Sequence, residues 1–178
     1  DGVRVLVQGA GAVGADLVRL LRAGGADVLV SDVDEARAAA TGATVVVAGE
    51  VIGTECDVYS PCAVGGTLNA ETIPRLRCRA IAGCANNQLA APEDGDRLHE
   101  AGILYAPDYV VNAGGVIQLV GLEDLGWTED ELEEGLARIG DTLRTLFRAA
   151  SDDGITPAAA AERLAAERVA AARAVRTP

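Results

Sequence analysis

The sequence contains no lysine and no methionine, and the missing lysine limits the chemistry of the chain. All 15 basic residues are arginine, so the chain cannot supply a catalytic ammonium group or form a Schiff base. A tyrosine and lysine proton relay is excluded too, although Tyr59, Tyr105 and Tyr109 are present. The chemistry of short-chain dehydrogenases, which pairs a tyrosine with a nearby lysine, is therefore ruled out.

Histidine and cysteine are scarce as well. The single histidine, His99, falls in a predicted surface helix and has no partner close in sequence. The four cysteines, Cys56, Cys62, Cys78 and Cys84, form two pairs with five residues between the members of each. Because structural zinc usually requires roughly two to four intervening residues, we expect free thiols and no metal site.

Long apolar runs and positive charge are also missing. No apolar stretch reaches the roughly 18 residues of a membrane span, and no signal peptide opens the chain. The net charge of −12 argues against nucleic acid or an anionic membrane surface as a partner. We therefore expect a soluble, cytoplasmic protein. The missing methionine and the abrupt start at Asp1 also lead us to expect a piece of a longer protein.

The most informative stretch that is present runs from Val5 to Asp32. It contains an apolar strand, the turn Gly9-Ala10-Gly11-Ala12-Val13-Gly14, an amphipathic helix to Arg22 and a second apolar strand. This order is typical of the dinucleotide-binding fingerprint. The first glycine permits the tight turn, the second lets a pyrophosphate approach the backbone, and the third lets the helix lie close to the strand.

Asp32 follows the second strand at the expected distance of roughly 20 residues after the glycine turn. A carboxylate there can accept hydrogen bonds from the hydroxyls of an adenine-side ribose, and it would repel a 2′-phosphate. The pattern therefore predicts NAD rather than NADP as cofactor. The alternative is a structural glycine turn that only imitates the fingerprint.

The segments that follow predict a doubly wound, mostly parallel Rossmann sheet, an α/β fold, with a C-terminal helical segment. Asp34 is expected to cap a short helix through Ala40. Further buried strands are expected at 44–47, 57–60, 79–82 and 103–105, with helical segments near 69–76 and 93–101. We expect the sheet domain to span residues 1–127 and C-terminal helices to span residues 128–178.

The loops after the later strands carry small residues and asparagines, which suit a binding site at the carboxyl ends of the strands. Asn87 and Asn112 could serve a carboxamide or a carboxylate, or they could simply form turns, and spacing alone leaves both interpretations open. Beyond Gly121, Thr128 to Glu131 forms a capping box, and an apolar stripe from Leu132 to Ala150 predicts a packing surface. A second helix is expected from Thr156-Pro157 to about Val175.

Several motifs together resemble one family. From Val3 to about Arg173 the chain resembles the C-terminal, cofactor-binding portion of the amino-acid dehydrogenases that act on leucine, valine and phenylalanine, relatives of glutamate dehydrogenase. The motifs that carry the resemblance are the segments 8–14, 61–66 (Pro-Cys-Ala-Val-Gly-Gly), 82–89 (Ala-Gly-Cys-Ala-Asn-Asn-Gln-Leu), 106–109 (Ala-Pro-Asp-Tyr) and 112–116 (Asn-Ala-Gly-Gly-Val), together with Asp32.

The resemblance implies reversible oxidative deamination, in which an L-amino acid and NAD give a 2-oxo acid, ammonia and NADH. It implies that Asn87 and Asn112 line the nicotinamide and substrate cleft and that Val116 and Leu119 face the substrate side chain. The cofactor-binding residues then become Gly9, Gly11, Ala12, Val13, Gly14, Asp32, Val33, Pro61, Cys62, Ala63, Ala82, Gly83, Cys84, Asn87 and Asn112. The segment 119–127 resembles phenylalanine dehydrogenases, whereas the bulk of Val116 favours a branched aliphatic substrate.

The family carries its catalytic lysines and aspartate on a separate N-terminal domain, which we expect to be missing here. The resemblance therefore implies no catalytic residue on this chain, C-terminal helices that pack toward the missing domain, and a homo-oligomer when the enzyme is complete. One alternative is a stand-alone NAD-binding regulatory module. Another is a 2-hydroxyacid dehydrogenase, which would need His99 as its base and is disfavoured by the helical position of that residue.

Overall fold

The computed structural model describes residues 2–176, and these form two compact units. The first unit ends at Asn112 and the second begins at Ala113. This division falls earlier in the chain than the domain boundary that the sequence suggests after Trp127. That boundary, and the packing of the C-terminal helices on a further domain, stay predictions.

A parallel sheet of six strands forms the centre of the first unit, in the order β3-β2-β1-β4-β5-β6. The strands are β1 (Arg4–Gln8), β2 (Asp27–Ser31), β3 (Thr44–Val45), β4 (Val58–Pro61), β5 (Ala80–Ile81) and β6 (Leu104–Tyr105). All five strand pairs are parallel, so the predicted α/β fold class is confirmed. The strand order reverses between β1 and β4, and ligands of such sheets bind beyond the carboxyl ends of the strands at that point.

The helices of the first unit connect these strands. They are α1 (Ala12–Ala23), α2 (Glu35–Ala40), α3 (Glu93–Glu100) and α4 (Asp108–Val111), with 3₁₀ helices at Ala48–Gly53 and Ile73–Arg75. The predicted cap of α2 is confirmed, because the Asp34 carboxylate accepts hydrogen bonds from the amides of Ala36 and Arg37. No helix in the described part of the chain is both long and apolar enough to cross a membrane.

Two expectations about the first unit were wrong. The buried strand expected at 44–47 is a two-residue edge strand, and Val45 and Val47 are 43% and 59% exposed. An edge strand pairs on one side only, and here the chain bends into a 3₁₀ helix directly afterwards. The helix expected at 69–76 is a single 3₁₀ turn around Pro74, since proline has no amide hydrogen to extend a helix and suits only a first turn.

The core lies on both faces of the sheet, which explains why the central strands are continuously apolar. In β1, Leu6 points into one cluster with Tyr59 and Ile81. Its neighbours Val5 and Val7 point into a second cluster on the opposite face. Burial of adjacent residues in opposite directions fixes the register of β1, because a slip by one residue would exchange the two sets.

The second unit is helical. It contains α5 (Gly114–Leu119), a π-helical turn (Val120–Asp124), α6 (Glu129–Asp153) and α7 (Pro157–Arg176). The predicted capping box of α6 is present: Thr128 accepts from the Glu131 amide, and the Glu131 carboxylate accepts from the Thr128 amide. Gly154 ends α6 in the left-handed conformation, with φ of 64°.

The indole ring of Trp127 packs against the residues on either side of it in the first part of this unit. A Cβ added to Gly121 would lie 2.4 Å from the indole, and one added to Gly135 would lie 2.7 Å from it. The two glycines therefore leave the space that the ring fills. Further along, α6 and α7 pack on each other, with Leu146, Ala150 and Ala160 buried.

The burial of Leu6 gives a prediction about the stability of the first unit. Leu6→Ala should lower the free energy of unfolding by about 2 to 5 kcal/mol, since Leu6 is completely buried and the site cannot collapse around a smaller side chain. The matched control Leu20→Ala removes a side chain that is 57% exposed, and it should change the free energy of unfolding by less than about 0.5 kcal/mol. Urea denaturation followed by circular dichroism measures both, and equal effects would contradict the described core.

Candidate functional site

The glycines of the turn between β1 and α1 fall into two groups: those that packing within the protein requires, and one that it does not. Gly9 has φ of 106°, and a Cβ there would lie 2.9 Å from the carbonyl carbon of Cys62. A Cβ on Gly14 would lie 2.0 Å from the carbonyl oxygen of Gly9, so α1 rests directly against the turn. Contacts within the protein therefore require glycine at both positions.

Gly11 differs from these two. A Cβ added to it would meet nothing within 4 Å, and its φ of −68° is open to any residue. Protein packing therefore gives no reason for glycine at this position. The open space lies at the N-terminus of α1, where free amide groups and the helix dipole favour an anion.

Asp32 holds the glycine turn in place. One carboxylate oxygen accepts a 2.7 Å hydrogen bond from the Ala10 amide, and the other accepts a 2.9 Å bond from the Asp34 amide. The Asp34 amide and then the Ala10 amide hold the pKa of the Asp32 carboxyl below its usual range, so the group is ionised at neutral pH. Sequence reasoning assigned Asp32 only to a ribose and missed this second role, although Asp at i with an amide at i+2 is a known turn pattern.

A cavity of about 420 Å³ opens beside the glycine turn. It brings together six of the residues predicted to bind a cofactor: Gly9, Gly11, Asp32, Val33, Cys62 and Ala63. Arg37 also lines this cavity, and its guanidinium pairs with Asp34 at 3.2 Å. The cavity therefore joins the end of β2, the glycine turn and the loop after β4 at one edge of the sheet.

Other predicted residues lie outside that cavity. Ala12 and Val13 form the first turn of α1, where Val13 is 61% exposed. Ala82, Gly83 and Cys84 instead line a separate apolar cavity of about 440 Å³, together with residues of β1, α1 and β4. The structure thus places some of the predicted cofactor-binding residues of the first unit in one cavity and others in a second.

The loops after β4 and β5 approach each other very closely. A Cβ on Gly83 would lie 2.3 Å from the carbonyl oxygen of Pro61, and one on Gly65 would lie 2.6 Å from that of Asn86. The Gly66 amide donates a 2.8 Å hydrogen bond to the Asn87 carbonyl. These contacts give the two loops a common backbone geometry.

Asn87 adopts a conformation that is uncommon for a residue with a side chain. Its φ is 52°, and its amide donates a 2.6 Å hydrogen bond to the Asp108 carboxylate. The other oxygen of that carboxylate accepts a 3.1 Å bond from the Tyr105 hydroxyl. Such left-handed residues cluster at functional sites, where the surrounding structure must hold them in place. Sequence reasoning did not find the role of Asp108.

The side chain of Asn112 is hydrogen-bonded to the loop after β5. Its side-chain amide donates a 2.7 Å hydrogen bond to the side-chain oxygen of Asn86, while Asn87 is exposed nearby on the same loop. Gln88 was also missed: it is completely buried, and its side-chain amide donates to the carbonyls of Gly83 and Ala85 at 2.8 and 3.0 Å. A polar residue directly before the apolar Leu89 carried no signal for this burial.

The two predicted substrate-pocket residues of the second unit lie on α5. Val116 and Leu119 are three positions apart on one helical face, and they are 66% and 55% exposed. Their role toward a substrate stays a prediction.

His99 is an exposed residue of α3, as expected. Among residues 2–176, no group of three or more histidine, cysteine or acidic side chains could hold a metal ion.

The sheet order and the glycine turn together define a doubly wound α/β chain of the Rossmann class. Comparison with known proteins narrows this class. The family model described as Glutamate/Leucine/Phenylalanine/Valine dehydrogenase matches residues 30–177, and the chain belongs to this family. The resemblance inferred from the motifs is confirmed.

Similar proteins support the same assignment. The chain is 45% identical over 174 residues to the leucine dehydrogenase of Bacillus cereus, covering 96% of this chain and 47% of that protein. The crystal structure of L-tryptophan dehydrogenase from Nostoc punctiforme superposes with a TM-score of 0.92 at 42% identity, covering 97% of this chain and 54% of that one. The hetero-hexameric glutamate dehydrogenase of Thermus thermophilus gives 0.76 at 28% identity, covering 99% and 48%. The chain thus spans about half the length of these relatives.

The glycine contacts predict that one substitution has a large effect at Gly14 and a small effect at Gly11. Gly14→Ala should lower the free energy of unfolding by at least about 1 to 3 kcal/mol, because its methyl group has no room against Gly9. Gly11→Ala should cost less than about 1 kcal/mol, the amount expected for alanine at a helix N-cap. Thermal and urea unfolding of the two variants test this, and a Gly11→Ala variant as unstable as Gly14→Ala would contradict the described turn.

Proposed function

We propose that this chain is the NAD-binding half of an amino-acid dehydrogenase that interconverts an L-amino acid with a 2-oxo acid and ammonia. Family membership supports the reaction class. The observation that carries the cofactor proposal is the open space at Gly11, between two glycines that the fold itself requires. A glycine without a packing reason at the start of α1 is what close approach of a pyrophosphate needs.

The choice of NAD over NADP rests on Asp32. Its carboxylate is ionised and lines the cavity beside Gly11, where it would accept hydrogen bonds from ribose hydroxyls and repel a 2′-phosphate. Arg37 lines the same cavity, and an unpaired guanidinium there would attract a phosphate. Its guanidinium pairs with Asp34, however, so the local charge still favours NAD.

In the proposed reaction, the residues of this chain bind and orient the cofactor and the substrate. Bound NAD would accept a hydride from the amino acid. Pro61, Cys62 and Ala63 would flank the cofactor with backbone and small side chains, and Asn87 and Asn112 would line the nicotinamide end. Val116 and Leu119 would contact the substrate side chain, for which we propose a branched-chain or aromatic amino acid. Leucine and L-tryptophan dehydrogenases among the relatives support both substrate types.

The catalytic groups are expected elsewhere in the complete enzyme. The chain has no lysine, and it spans about half the length of its curated relatives. We therefore propose that the general base and the substrate-carboxylate ligand belong to a separate N-terminal domain. We also propose a cytoplasmic, homo-oligomeric enzyme. The hetero-hexamer described for the Thermus thermophilus relative supports assembly into an oligomer, although its subunits are not all identical.

Cofactor binding and catalysis can be tested separately. The purified chain should bind NAD in isothermal titration calorimetry, and Gly11→Val should abolish this while keeping its circular dichroism spectrum, because the side chain fills the pyrophosphate space. With leucine, valine or phenylalanine the chain should produce no NADH. Tight NAD binding by folded Gly11→Val would refute the placement of the pyrophosphate. Deamination by the chain alone would refute the proposal that the catalytic groups belong to a separate domain.

Nucleotide preference gives a second test. Asp32→Ala should weaken NAD binding by about 1 to 3 kcal/mol, the cost of losing a hydrogen-bonded charged group, and narrow the gap to NADP. Glu35→Ala removes the same charge from the first turn of α2 and serves as the matched control. Titration of both variants with NAD and NADP distinguishes a specific ribose contact from a general charge effect. Equal changes in the two variants would argue against a contact between Asp32 and the ribose.

A further inference from the structure

The four cysteines occupy opposite ends of two neighbouring strands. Cys56 and Cys78 precede β4 and β5, whereas Cys62 and Cys84 follow them. Tyr59 of β4 pairs with Ile81 of β5, and each carboxyl-end cysteine lies three residues beyond its member of that pair. The parallel strands therefore deliver Cys62 and Cys84 to the same edge of the sheet.

The two carboxyl-end thiols are in contact. The side chains of Cys62 and Cys84 are hydrogen-bonded to each other, and the Ser60 hydroxyl lies 3.4 Å from the Cys62 sulfur. The backbone brings them together, since the Ala85 amide donates a 3.0 Å bond to the Pro61 carbonyl and Gly83 abuts Pro61. Neighbouring strands are about 4.8 Å apart, which falls within the Cα separation of roughly 4.4 to 6.8 Å that a disulfide spans.

The surroundings of the two cysteine pairs differ chemically. Hydrogen bonds from Cys84 and from Ser60 lower the pKa of the Cys62 thiol, while the contact with Cys62 and burial raise that of Cys84. At the other end of the strands, burial raises the pKa of Cys56 to about 11 and that of Cys78 to about 12. Only the carboxyl-end pair thus combines a thiolate with an adjacent thiol, which is the arrangement that attacks oxidants.

Each cysteine of the carboxyl-end pair also lines one of the two cavities described above. Cys62 lines the cavity with Gly9 and Gly11, and Cys84 lines the apolar cavity with Ala82 and Gly83. Both side chains are half-buried, so each keeps an exposed fraction that a small oxidant can reach. All four cysteines are free thiols in the structure.

We propose that Cys62 and Cys84 form a reversible dithiol and disulfide site that is oxidised by hydrogen peroxide or small organic hydroperoxides. The Cys62 thiolate attacks one peroxide oxygen and the O–O bond breaks; the departing hydroxide, or the alkoxide of an organic hydroperoxide, takes up a proton and leaves as water or as the alcohol. The sulfur of Cys84 then attacks the sulfenic acid formed on Cys62, so that an S–S bond replaces the S–O bond and the sulfenic oxygen leaves as water. The two sulfurs supply the two electrons that reduce the peroxide.

A consequence for the cofactor rests on the proposed function. The disulfide would tie the loop after β4 to the loop after β5 and move Cys62 in the wall of the cavity that holds Gly11. Oxidation should therefore weaken NAD binding by at least about tenfold. A thiol reductant should restore the original affinity.

The linkage can be mapped because the chain has no lysine. Trypsin cuts after Arg37, Arg75, Arg79 and Arg97, which leaves Cys62 with Cys56 on peptide 38–75 and Cys84 alone on peptide 80–97. After brief treatment with equimolar peroxide, mass spectrometry should find these two peptides joined, in the wild-type chain and in Cys56→Ser. A linkage to Cys78, a linkage between two chains or no linkage at all would overturn the proposal.

Two serine variants make the test specific. In Cys84→Ser, peroxide should leave no intramolecular linkage, and a sulfenic acid on Cys62 should be trapped by dimedone. Cys78→Ser removes a thiol at the other end of β5 and should still form the linkage at the wild-type rate. If the reduced chain binds no NAD, the proposed function is refuted. The peptide mapping by mass spectrometry still shows whether Cys62 and Cys84 form a disulfide. If oxidised and reduced chains bind NAD equally, the effect on the cofactor is refuted.

Discussion

The contact between Gly14 and the carbonyl of Gly9 is the constraint on which the first unit depends. With a Cβ only 2.0 Å from that oxygen, no other residue would let α1 begin so close to the end of β1. This approach sets the N-terminus of α1 at the point where the strand order reverses. Asp32 then connects the turn to the end of β2 through the Ala10 amide, so the open position at Gly11 is defined from two sides. The geometry of the glycine turn therefore follows from backbone packing together with the hydrogen-bonded carboxylate of Asp32.

The central strands could be predicted from the sequence because burial on both faces makes them continuously apolar. Val5, Leu6 and Val7 show this directly, since they supply opposite faces of the core. The edge could not be predicted in the same way. Thr44 to Val47 is as β-branched as any central strand, but its burial depends on neighbours that the local sequence does not specify. The capping signals of α2 and α6 are local, and both were predicted correctly.

The candidate site was predictable only where a motif carries its own geometry. The glycine turn and Asp32 belong to such a motif, and the cavity brings them together. Gln88 and Asp108 support the loop that carries Asn87 through contacts with other parts of the chain, and no spacing rule pointed to either. The contact between Asn112 and Asn86 illustrates the same limit, because nothing in the spacing of these two residues indicated it. Supporting residues of this kind become visible only when the loops are assembled.

The packing of Trp127 has a practical consequence. The chain contains one tryptophan, and that residue is enclosed by Gly121 and Gly135 in the second unit. Intrinsic fluorescence excited at the indole band therefore reports on the helical unit alone, while the sheet contributes tyrosine signal through Tyr59 and Tyr105. The protein thus carries a natural optical label by which the loosening of its two units can be followed independently, without any chemical modification.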